Sequence, residues 1–440
     1  MVTKNIIRVC EFEKLYYDDA KPFKQKHWEA LLRYLESINK KEEKRMEYYR
    51  ILNRGIQFTN FVGVIQAGNL TIEVLPKIDA GDSTAANESI EKLDKETSDS
   101  KQKWHNVLLQ MLKECRLLQV NHVDYANLNL RPNSILDIYL ELFLSETEAL
   151  LHEGLLKKYR KQESNQGALK GQLQFAKQLA YNSTHQERFY VRYTDYNRNN
   201  IYNQLLCKTL QLIPKISSRT YVLDKVSRLL LDFPEVSACT VNAEAFRRLT
   251  FDRKTERYRE ALLIAKMLLL NYRPDITGGP ENAIAILFDM NKLWEEWVYR
   301  RLKKEEDVYG ITVHKQQSAD FWNSPLLSRP KTVRPDIIIK KGKESIIIDT
   351  KWKVVDDLVP SDEDLKQMYV YNLFWNCDRS ILLYPAVRSL SSGGDYIDFR
   401  DKNKNFTRCM VQATSVLDHQ GRLDGNFGSS LLENLLDNFS

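Results

Sequence analysis

Two isoleucine triplets joined by a short glycine-containing turn constrain the fold of this chain more than any other feature. Asp336 precedes the first triplet, residues 337–339, and Asp349 follows the second, residues 346–348. Such runs predict two paired antiparallel strands that are covered on both faces. Because the start of the first strand then lies beside the end of the second, we expect the two carboxylates to meet at one edge of the sheet. Lys351, two residues after Asp349, should point to the same face as that aspartate.

Two acids and a lysine in this arrangement suit metal-assisted hydrolysis of a phosphodiester bond. Two carboxylates in an apolar setting repel each other unless one protonates or a cation binds them both. Mg²⁺ prefers oxygen ligands, takes one or two carboxylates and keeps several waters, one of which can become the nucleophile. A neighbouring lysine can orient that water, accept its proton or neutralise charge on the phosphate. We therefore predict that Asp336 and Asp349 bind Mg²⁺ and that Lys351 takes part in catalysis.

The spacing of Asp349 and Lys351 is not diagnostic by itself. The same Asp-x-Lys pattern begins at four other positions, Asp19, Asp99, Asp252 and Asp364. An ordinary hairpin with charged ends is the alternative interpretation of the residues around 349. Arg-Pro-Asp-Ile occurs twice, at 273–276 and at 334–337, and the first copy is followed by Thr-Gly-Gly-Pro rather than by a strand. We favour the catalytic interpretation because only the copy at 334–337 is followed by both a strand and a paired Asp-x-Lys.

The helix predicted after the hairpin carries two further candidate catalytic residues. Gln367 and Tyr371 are four residues apart, so they share one helical face. From that face they could reach a metal-bound water or the DNA backbone. A polar helix face without a catalytic role would explain the same two residues if they stood alone.

The helix predicted before the sheet could supply one more metal ligand. Two acids, Glu295 and Glu296, are adjacent there. The face with Trp294, Trp297 and Val298 should pack inward, which orients the two acids differently. We expect Glu295 to lie nearer to Asp336 and Asp349, although a solvated acid is the alternative.

The elements around these residues predict an α/β sandwich between residues 281 and 440. In order, they are a helix at 283–302, strands at 311–316, 336–339 and 345–349, a helix at 362–375 and a strand at 380–384.

The rest of the chain divides into two regions by its pattern of apolar residues. Residues 1–103 are predicted to be β-rich, because runs at 61–66 and 70–75 flank a glycine-containing turn. Within them, the polar stretch 82–103 is predicted to be a loop. Residues 104–280 have mainly helical spacing. We therefore expect an α/β and mixed, multidomain protein with a β-rich amino-terminal domain, a helical middle region and a carboxy-terminal sandwich.

Two stretches of the middle region, residues 157–161 and 188–193, combine lysine or arginine with tyrosine or phenylalanine. They could contact phosphates or bases of a nucleic acid. A solvated helix or strand face is the favoured interpretation of both.

Composition limits what else the chain can do. Its 440 residues are too many for one ordinary core, and its net charge of +6 permits nucleic-acid binding without requiring it. The six cysteines form no CxxC pair and so indicate neither a zinc site nor a disulfide framework. We expect no secretory signal and no membrane span, and therefore a cytoplasmic protein. The sequence contains no GxxxxGK[ST] motif, so it should not hydrolyse nucleotides on its own.

The order of the candidate site residues resembles that of the PD-(D/E)XK nucleases with a QxxxY helix, as in RecB-like nucleases. The residues that carry this likeness are Glu295, Asp336, Asp349, Lys351, Gln367 and Tyr371. More narrowly, the whole chain resembles McrC, the nuclease subunit of McrBC-type modification-dependent restriction systems. Upstream segments at 62–78, 154–173 and 195–206 share that likeness, whereas the polar stretch 82–103 has no counterpart in it.

The resemblance implies a partner and a substrate. In McrBC-type systems the nuclease subunit acts with a GTP-hydrolysing AAA+ ring that recognises modified DNA. A McrB-like AAA+ GTPase, modified duplex DNA and Mg²⁺ are therefore the implied partners of this chain, and stimulation of the GTPase is an implied activity. A RecB-like repair or recombination nuclease and a mainly regulatory subunit of a partner GTPase are the alternatives.

Overall fold

The chain is described here by a computed structural model, which covers most of the sequence. The described residues are 5–19, 22–39, 47–76, 90–117, 134–273, 283–324, 326, 328–353, 358–386, 389–397 and 405–436. Across these ranges, no helix combines the length and the apolar character that crossing a membrane requires.

The amino-terminal elements build two small sheets and two helices. They are β1 Asn5–Cys10, β2 Lys14–Tyr16, α1 Gln25–Asn39, β3 Tyr49–Leu52, β4 Gly55–Phe58, β5 Phe61–Ala67, β6 Leu70–Leu75 and α2 Ile90–Glu114. The predicted hairpin is confirmed, because β5 and β6 pair antiparallel up to Ala67 opposite Leu70. Gly68 in the turn has a φ of 57°, a left-handed conformation that glycine adopts without steric cost.

The prediction of a loop at 82–103 was wrong where the structure describes it, because α2 already begins at Ile90. Residues 90–103 contain neither glycine nor proline. The following residues Trp104, Leu108 and Met111 are buried at helical spacing. Once that apolar half packs against the sheet, each further turn of helix is easily added at its amino-terminal end. Residues 82–89 lie outside the described residues.

The middle region is mainly helical, as predicted, but it also contains a third sheet. Its elements are α3 Ile135–His152, β7 Lys158–Gln166, β8 Gln172–Leu173, α4 Phe175–Asn182, β9 Phe189–Asn197, α5 Ile201–Ile216, α6 Thr220–Asp232, α7 Ala243–Arg247, a 3-10 turn at Glu256–Tyr258 and α8 Arg259–Asn271. The strand order β7-β9-β8 places the two basic and aromatic stretches on paired strands. We did not predict these strands from the sequence, because they bury almost none of their side chains, Val191 being the one that is fully buried.

The prediction of one helix at 283–302 was wrong in its first half. Strand β11, Ala283–Asp289, follows the short strand β10, Tyr272–Arg273, and precedes helix α9, Met290–Lys304. An apolar run such as this fits a buried strand as well as a helix, and the open edge of β5 decides the outcome by pairing with β11. Asp289 then starts the helix by accepting a hydrogen bond from the backbone of Asn291. The first sheet therefore has the order β1-β6-β5-β11-β10 and extends past the boundary that we expected at residue 281.

The carboxy-terminal region contains a six-stranded mixed sheet of order β12-β15-β16-β17-β19-β18. Its elements are α10 Glu306–Tyr309, β12 Thr312–Lys315, β13 Ala319–Trp322, β14 Lys331–Val333, β15 Ile337–Lys341, β16 Glu344–Thr350, α11 Asp362–Trp375, β17 Arg379–Ala386, β18 Leu390–Ile397, β19 Asn405–Ser415 and α12 Phe427–Leu436. The predicted bounds of α11 are confirmed. The mixed α/β character of the whole chain is also as predicted.

Both isoleucine triplets are buried on two faces, as their composition predicted. Ile338 and Ile347 pack in one apolar cluster with Met368 of α11. Their neighbours on the strands, such as Ile337 and Ile348, pack in a second cluster that includes α9 and α12. The sheet is thus covered on both sides, and the end of the β15–β16 hairpin opens toward α9 and α11.

Candidate active site at the edge of the carboxy-terminal sheet

The register of the hairpin brings Asp336 and Asp349 together. Ile337 pairs with Ile348 across β15 and β16. Because Asp336 precedes Ile337 and Asp349 follows Ile348, the two acids lie opposite each other. Asp336 Oδ2 accepts hydrogen bonds of 2.8 Å from both the backbone N and the Oγ1 of Thr350. These bonds hold the Asp336 carboxylate at the end of β16.

Asp349 is buried beside a second negative charge. Its side chain is almost inaccessible to water. Burial and then the charge of Asp336 raise the pKa of Asp349 to about 7. Lys351 Nζ lies 2.7 Å from Asp349 Oδ2. This one ion pair lowers the pKa of Asp349 only in part, so the pair of acids still lacks positive charge.

Lys351 belongs to a chain of hydrogen bonds that includes both predicted residues of α11. Its Nζ donates to Gln367 Oε1 at 3.1 Å. Gln367 Nε2 donates to the hydroxyl of Tyr371 at 2.7 Å, and that hydroxyl donates to the carbonyl oxygen of Arg334 at 3.0 Å. Burial lowers the pKa of Lys351, but the charge of Asp349 outweighs this effect and raises it overall. Lys351 is therefore held as a cation between Asp349 and Gln367.

Glu295 lies near Asp336. It is 8 % exposed, and its Oε1 accepts a 2.6 Å hydrogen bond from the side chain of Gln316. The backbone N of Gln316 in turn donates to the carbonyl oxygen of Asp336 at 2.9 Å. Burial and then the charge of Asp336 raise the pKa of Glu295, which places the two carboxylates within electrostatic reach of each other.

Glu296 is oriented differently, as the predicted inward packing of its helix requires. Trp294, Trp297 and Val298 are fully buried. Glu296 forms ion pairs with Arg300 and Lys315. Burial raises the pKa of Glu296, but hydrogen bonds from these two cations outweigh it and lower the pKa overall. Its charge is thus already balanced, in contrast to that of Glu295.

Two residues that the sequence did not single out also lie at the site. Asp364 Oδ1 is 3.9 Å from Lys351 Nζ, and its Oδ2 accepts a 2.6 Å hydrogen bond from Lys353. Asp364 lies on the first turn of α11, where its backbone N donates to the side chain of Ser361. Serine followed three residues later by an acid is a common helix start, so the sequence pattern indicated a cap rather than a site residue. Gln316 gave no sequence signal, because the fold alone brings it to Glu295.

A family model places this chain among known proteins. The model described as "McrBC 5-methylcytosine restriction system component" matches residues 56–385. The chain belongs to this McrBC family. The matched range contains every candidate site residue from Glu295 to Tyr371. The resemblance to McrC predicted from the motifs is confirmed at the level of the family.

Solved structures support the fold of this McrBC-family chain. A refined half-complex from the tetradecameric assembly of Thermococcus gammatolerans McrB AAA+ hexamers with bound McrC contains a similar chain, with a TM-score of 0.69 and 19 % identity. That match covers 98 % of this chain and 99 % of the other. The cryo-EM structure of the Thermococcus gammatolerans McrBC complex matches with a TM-score of 0.50 and 19 % identity over 68 % of this chain and 88 % of the other. No curated protein matches the sequence.

The side chains available as metal ligands limit which ion this McrBC-family chain could bind. In the part of the chain that the structure describes, no three or more His, Cys, Asp and Glu side chains are grouped so as to hold a metal ion. The close acids are the pair Asp336 and Asp349, with Glu295 near Asp336. Such a pair suits Mg²⁺, which keeps several waters, better than Zn²⁺, which takes three or four protein ligands.

Proposed function

We propose that this chain is a Mg²⁺-dependent DNA endonuclease of the PD-(D/E)XK type and the cutting subunit of a McrBC-type restriction system. One observation carries the proposal. Asp336, Asp349 and Lys351 meet at the open end of a buried hairpin, where burial and the charge of Asp336 raise the pKa of Asp349 to about 7. A carboxylate pair in such an environment is electrostatically unfavourable unless a cation joins it.

Asp336 and Asp349 would hold the Mg²⁺ ion, and Glu295 would be a further ligand, directly or through a water. When bound, the ion would activate a water as the nucleophile and neutralise negative charge on the phosphate. Both aspartates lie on a strand hairpin that packs between helices, so their spacing is fixed before any ligand binds. This rigidity fits a site that must hold reacting groups in one geometry.

Lys351, Gln367 and Tyr371 would complete the catalytic group. Lys351 Nζ is close enough to Asp349 to face the same substrate oxygen, and it can stabilise charge that develops there. Gln367 accepts one hydrogen bond from Lys351 and thereby fixes the direction of its ammonium group. Tyr371 anchors Gln367 to the backbone just before Asp336. In this proposal Gln367 and Tyr371 act mainly by positioning the lysine.

The proposed partner is a GTP-hydrolysing AAA+ ring that this chain also stimulates. The similar solved assembly contains McrB AAA+ hexamers with bound McrC, and the present sequence has no GxxxxGK[ST] motif of its own. A division of labour between a ring that hydrolyses GTP and a subunit that cuts fits both observations. The family description names 5-methylcytosine, so we propose modified duplex DNA in the cytoplasm as the substrate.

The proposal is tested by a cleavage assay with the purified chain and a McrB-like AAA+ GTPase. We expect little cleavage by the chain alone in Mg²⁺. Cleavage of DNA that contains 5-methylcytosine should appear when the partner and GTP are added, and EDTA should stop it. Rapid, GTP-independent digestion of unmodified duplex by the chain alone would refute the restriction-subunit proposal and favour a repair nuclease. Stimulation of the GTPase without any cleavage would identify a regulatory subunit instead.

A further inference from the structure

A two-stranded ribbon projects from the candidate active site. It consists of β13 and β14, which, among the residues that the structure describes, form a two-stranded sheet separate from the six-stranded one. Three residues after β14 ends at Val333, the chain reaches Asp336. Lys331 is thus five residues from the candidate metal ligand, which is at most about 17 Å of extended chain. That distance corresponds to roughly five base pairs of duplex DNA.

The ribbon is braced against the helix that carries Gln367 and Tyr371. The ring of Phe321 on β13 lies 5.9 Å from that of Phe374 on α11. Phe374 lies 6.4 Å from Trp375, and Trp375 lies 6.0 Å from Tyr371 in an edge-to-face contact. A continuous row of aromatic rings therefore joins the ribbon to the hydrogen-bond chain of the site. The ribbon should keep a fixed position relative to the reacting groups.

The ribbon exposes large aromatic side chains and positive charge together. Phe321 and Trp322 are 52 % and 54 % exposed, and Lys331 is the backbone partner of Trp322 across the ribbon. Between residues 319 and 334 the sequence has three cations, Arg329, Lys331 and Arg334, against one acid, Asp320. Aromatic rings beside lysine and arginine are the side chains that proteins use to contact nucleic-acid bases and phosphates.

We propose that the β13–β14 ribbon binds the DNA beside the phosphate that Asp336 and Asp349 would address. Lys331 contacts a backbone phosphate, and Trp322 contacts the base or sugar next to it. A two-stranded ribbon is narrow enough to enter the major groove of B-DNA. The excess of positive charge and the continuity of the ribbon with the site favour DNA over a protein as its ligand. This inference rests on the proposed function and adds a DNA-contacting surface to it.

The test measures DNA binding apart from cutting. Trp322→Ala and Lys331→Ala are each made in the full-length Asp349→Ala protein, and binding to a fluorescent duplex is followed by anisotropy at several salt concentrations. Two substitutions are the matched controls. Tyr221→Ala replaces another half-exposed aromatic residue, and Lys341→Ala replaces a lysine at the turn of the β15–β16 hairpin, away from the ribbon. Thermal melting of each protein checks that these exposed positions leave the fold intact.

We expect Trp322→Ala to weaken binding about tenfold and Lys331→Ala to reduce the slope of log affinity against log salt by about 1. The two controls should change binding less than twofold. Equal binding by Trp322→Ala and Tyr221→Ala, or no binding by the parent protein, would overturn the proposal. Unchanged DNA binding with lost association to the AAA+ partner would also overturn it and identify a protein-docking surface. Ribbon-dependent binding without cleavage by the wild-type chain, even with the AAA+ partner, GTP and Mg²⁺ present, would instead sink the nuclease proposal alone.

Discussion

Two carboxylates are buried in two different sheets of this protein, and they differ in how their charge is balanced. Glu73 on β6 is 0 % exposed and Asp349 on β16 is 1 % exposed. Glu73 Oε2 lies 2.9 Å from Arg8 Nε and 3.2 Å from His105 Nδ1. Its Oε1 accepts a 2.9 Å hydrogen bond from the backbone N of Ile135. Burial raises the pKa of Glu73, but these neighbours, His105 first, outweigh it and lower the pKa overall.

Asp349 has the opposite balance, because a second acid faces it. One lysine contacts its carboxylate, and burial together with Asp336 raises its pKa to about 7. Glu73 is therefore a structural charge that joins β1, β6, α2 and the start of α3. Asp349 is a charge that the protein leaves partly unbalanced. The comparison teaches that burial alone does not single out a candidate functional acid, whereas burial without charge compensation does.

The largest expected effect concerns cleavage. Asp349→Ala and Lys351→Ala should each lower the cleavage rate about 10³-fold or more, because each removes a group at the reacting centre. Neither should change the melting temperature by more than a few degrees. Lys341→Ala, at the other end of the hairpin, is the control and should cut normally. Cleavage at the wild-type rate by either site variant would contradict the assignment.

The next effect concerns Glu73, the buried acid whose charge its neighbours balance. Glu73→Ala should lower the free energy of unfolding by about 3 kcal/mol, because it removes the buried carboxylate that contacts Arg8, His105 and the backbone N of Ile135. Urea denaturation measures this loss. Glu163→Ala, at an acid paired with Lys177 and Arg192 on the exposed sheet, should cost much less. Equal losses at Glu73 and Glu163 would show that the buried network does not stabilise the fold.

The third expected effect is a gain of stability rather than a loss. The folded chain binds a proton at Asp349 more tightly than the unfolded chain, so stability should fall as pH rises from about 4 to about 7 and stay low above that. Asp349→Asn should remove this loss and stabilise the metal-free protein at pH 8 by on the order of 2 kcal/mol. Mg²⁺ should raise the melting temperature of the wild type but not of the variant. Identical pH profiles for the two proteins would argue against an unbalanced acid.

The smallest effect concerns a third buried acid, which bridges the two regions. Glu11, after β1, accepts a 2.9 Å hydrogen bond from the indole of Trp352, the residue that follows Lys351. Trp352→Phe should cost about 1–2 kcal/mol, because the lost acceptor is a carboxylate. Trp28→Phe loses a bond of the same length to the carbonyl of Gly55 and should cost less. A larger loss at Trp28 than at Trp352 would contradict the role assigned to Glu11.

Local sequence was sufficient for much of the candidate site. The β15–β16 hairpin, the bounds of α11 and the meeting of Asp336 with Asp349 follow from periods of two and 3.6 residues and from one turn. The roles of Gln367 and Tyr371 remain predictions, but their position on one face of α11 also follows from local helical geometry. The placement of Glu295 needed only the inward packing of two neighbouring tryptophans.

Tertiary structure decided the features that depend on distant partners. The apolar residues 283–289 become a strand because β5 offers an open edge, and no local period distinguishes that outcome from a helix. Strands β7 and β9 bury little apolar surface, and backbone pairing along their whole length holds them together. Asp364 and Gln316 reach the site, and Arg8, His105 and Ile135 reach Glu73, across separations in sequence that no local pattern spans. The sequence by itself thus determined which acids could meet at the hairpin, whereas the electrostatic environment of each buried acid depends on the side chains that folding brings to it.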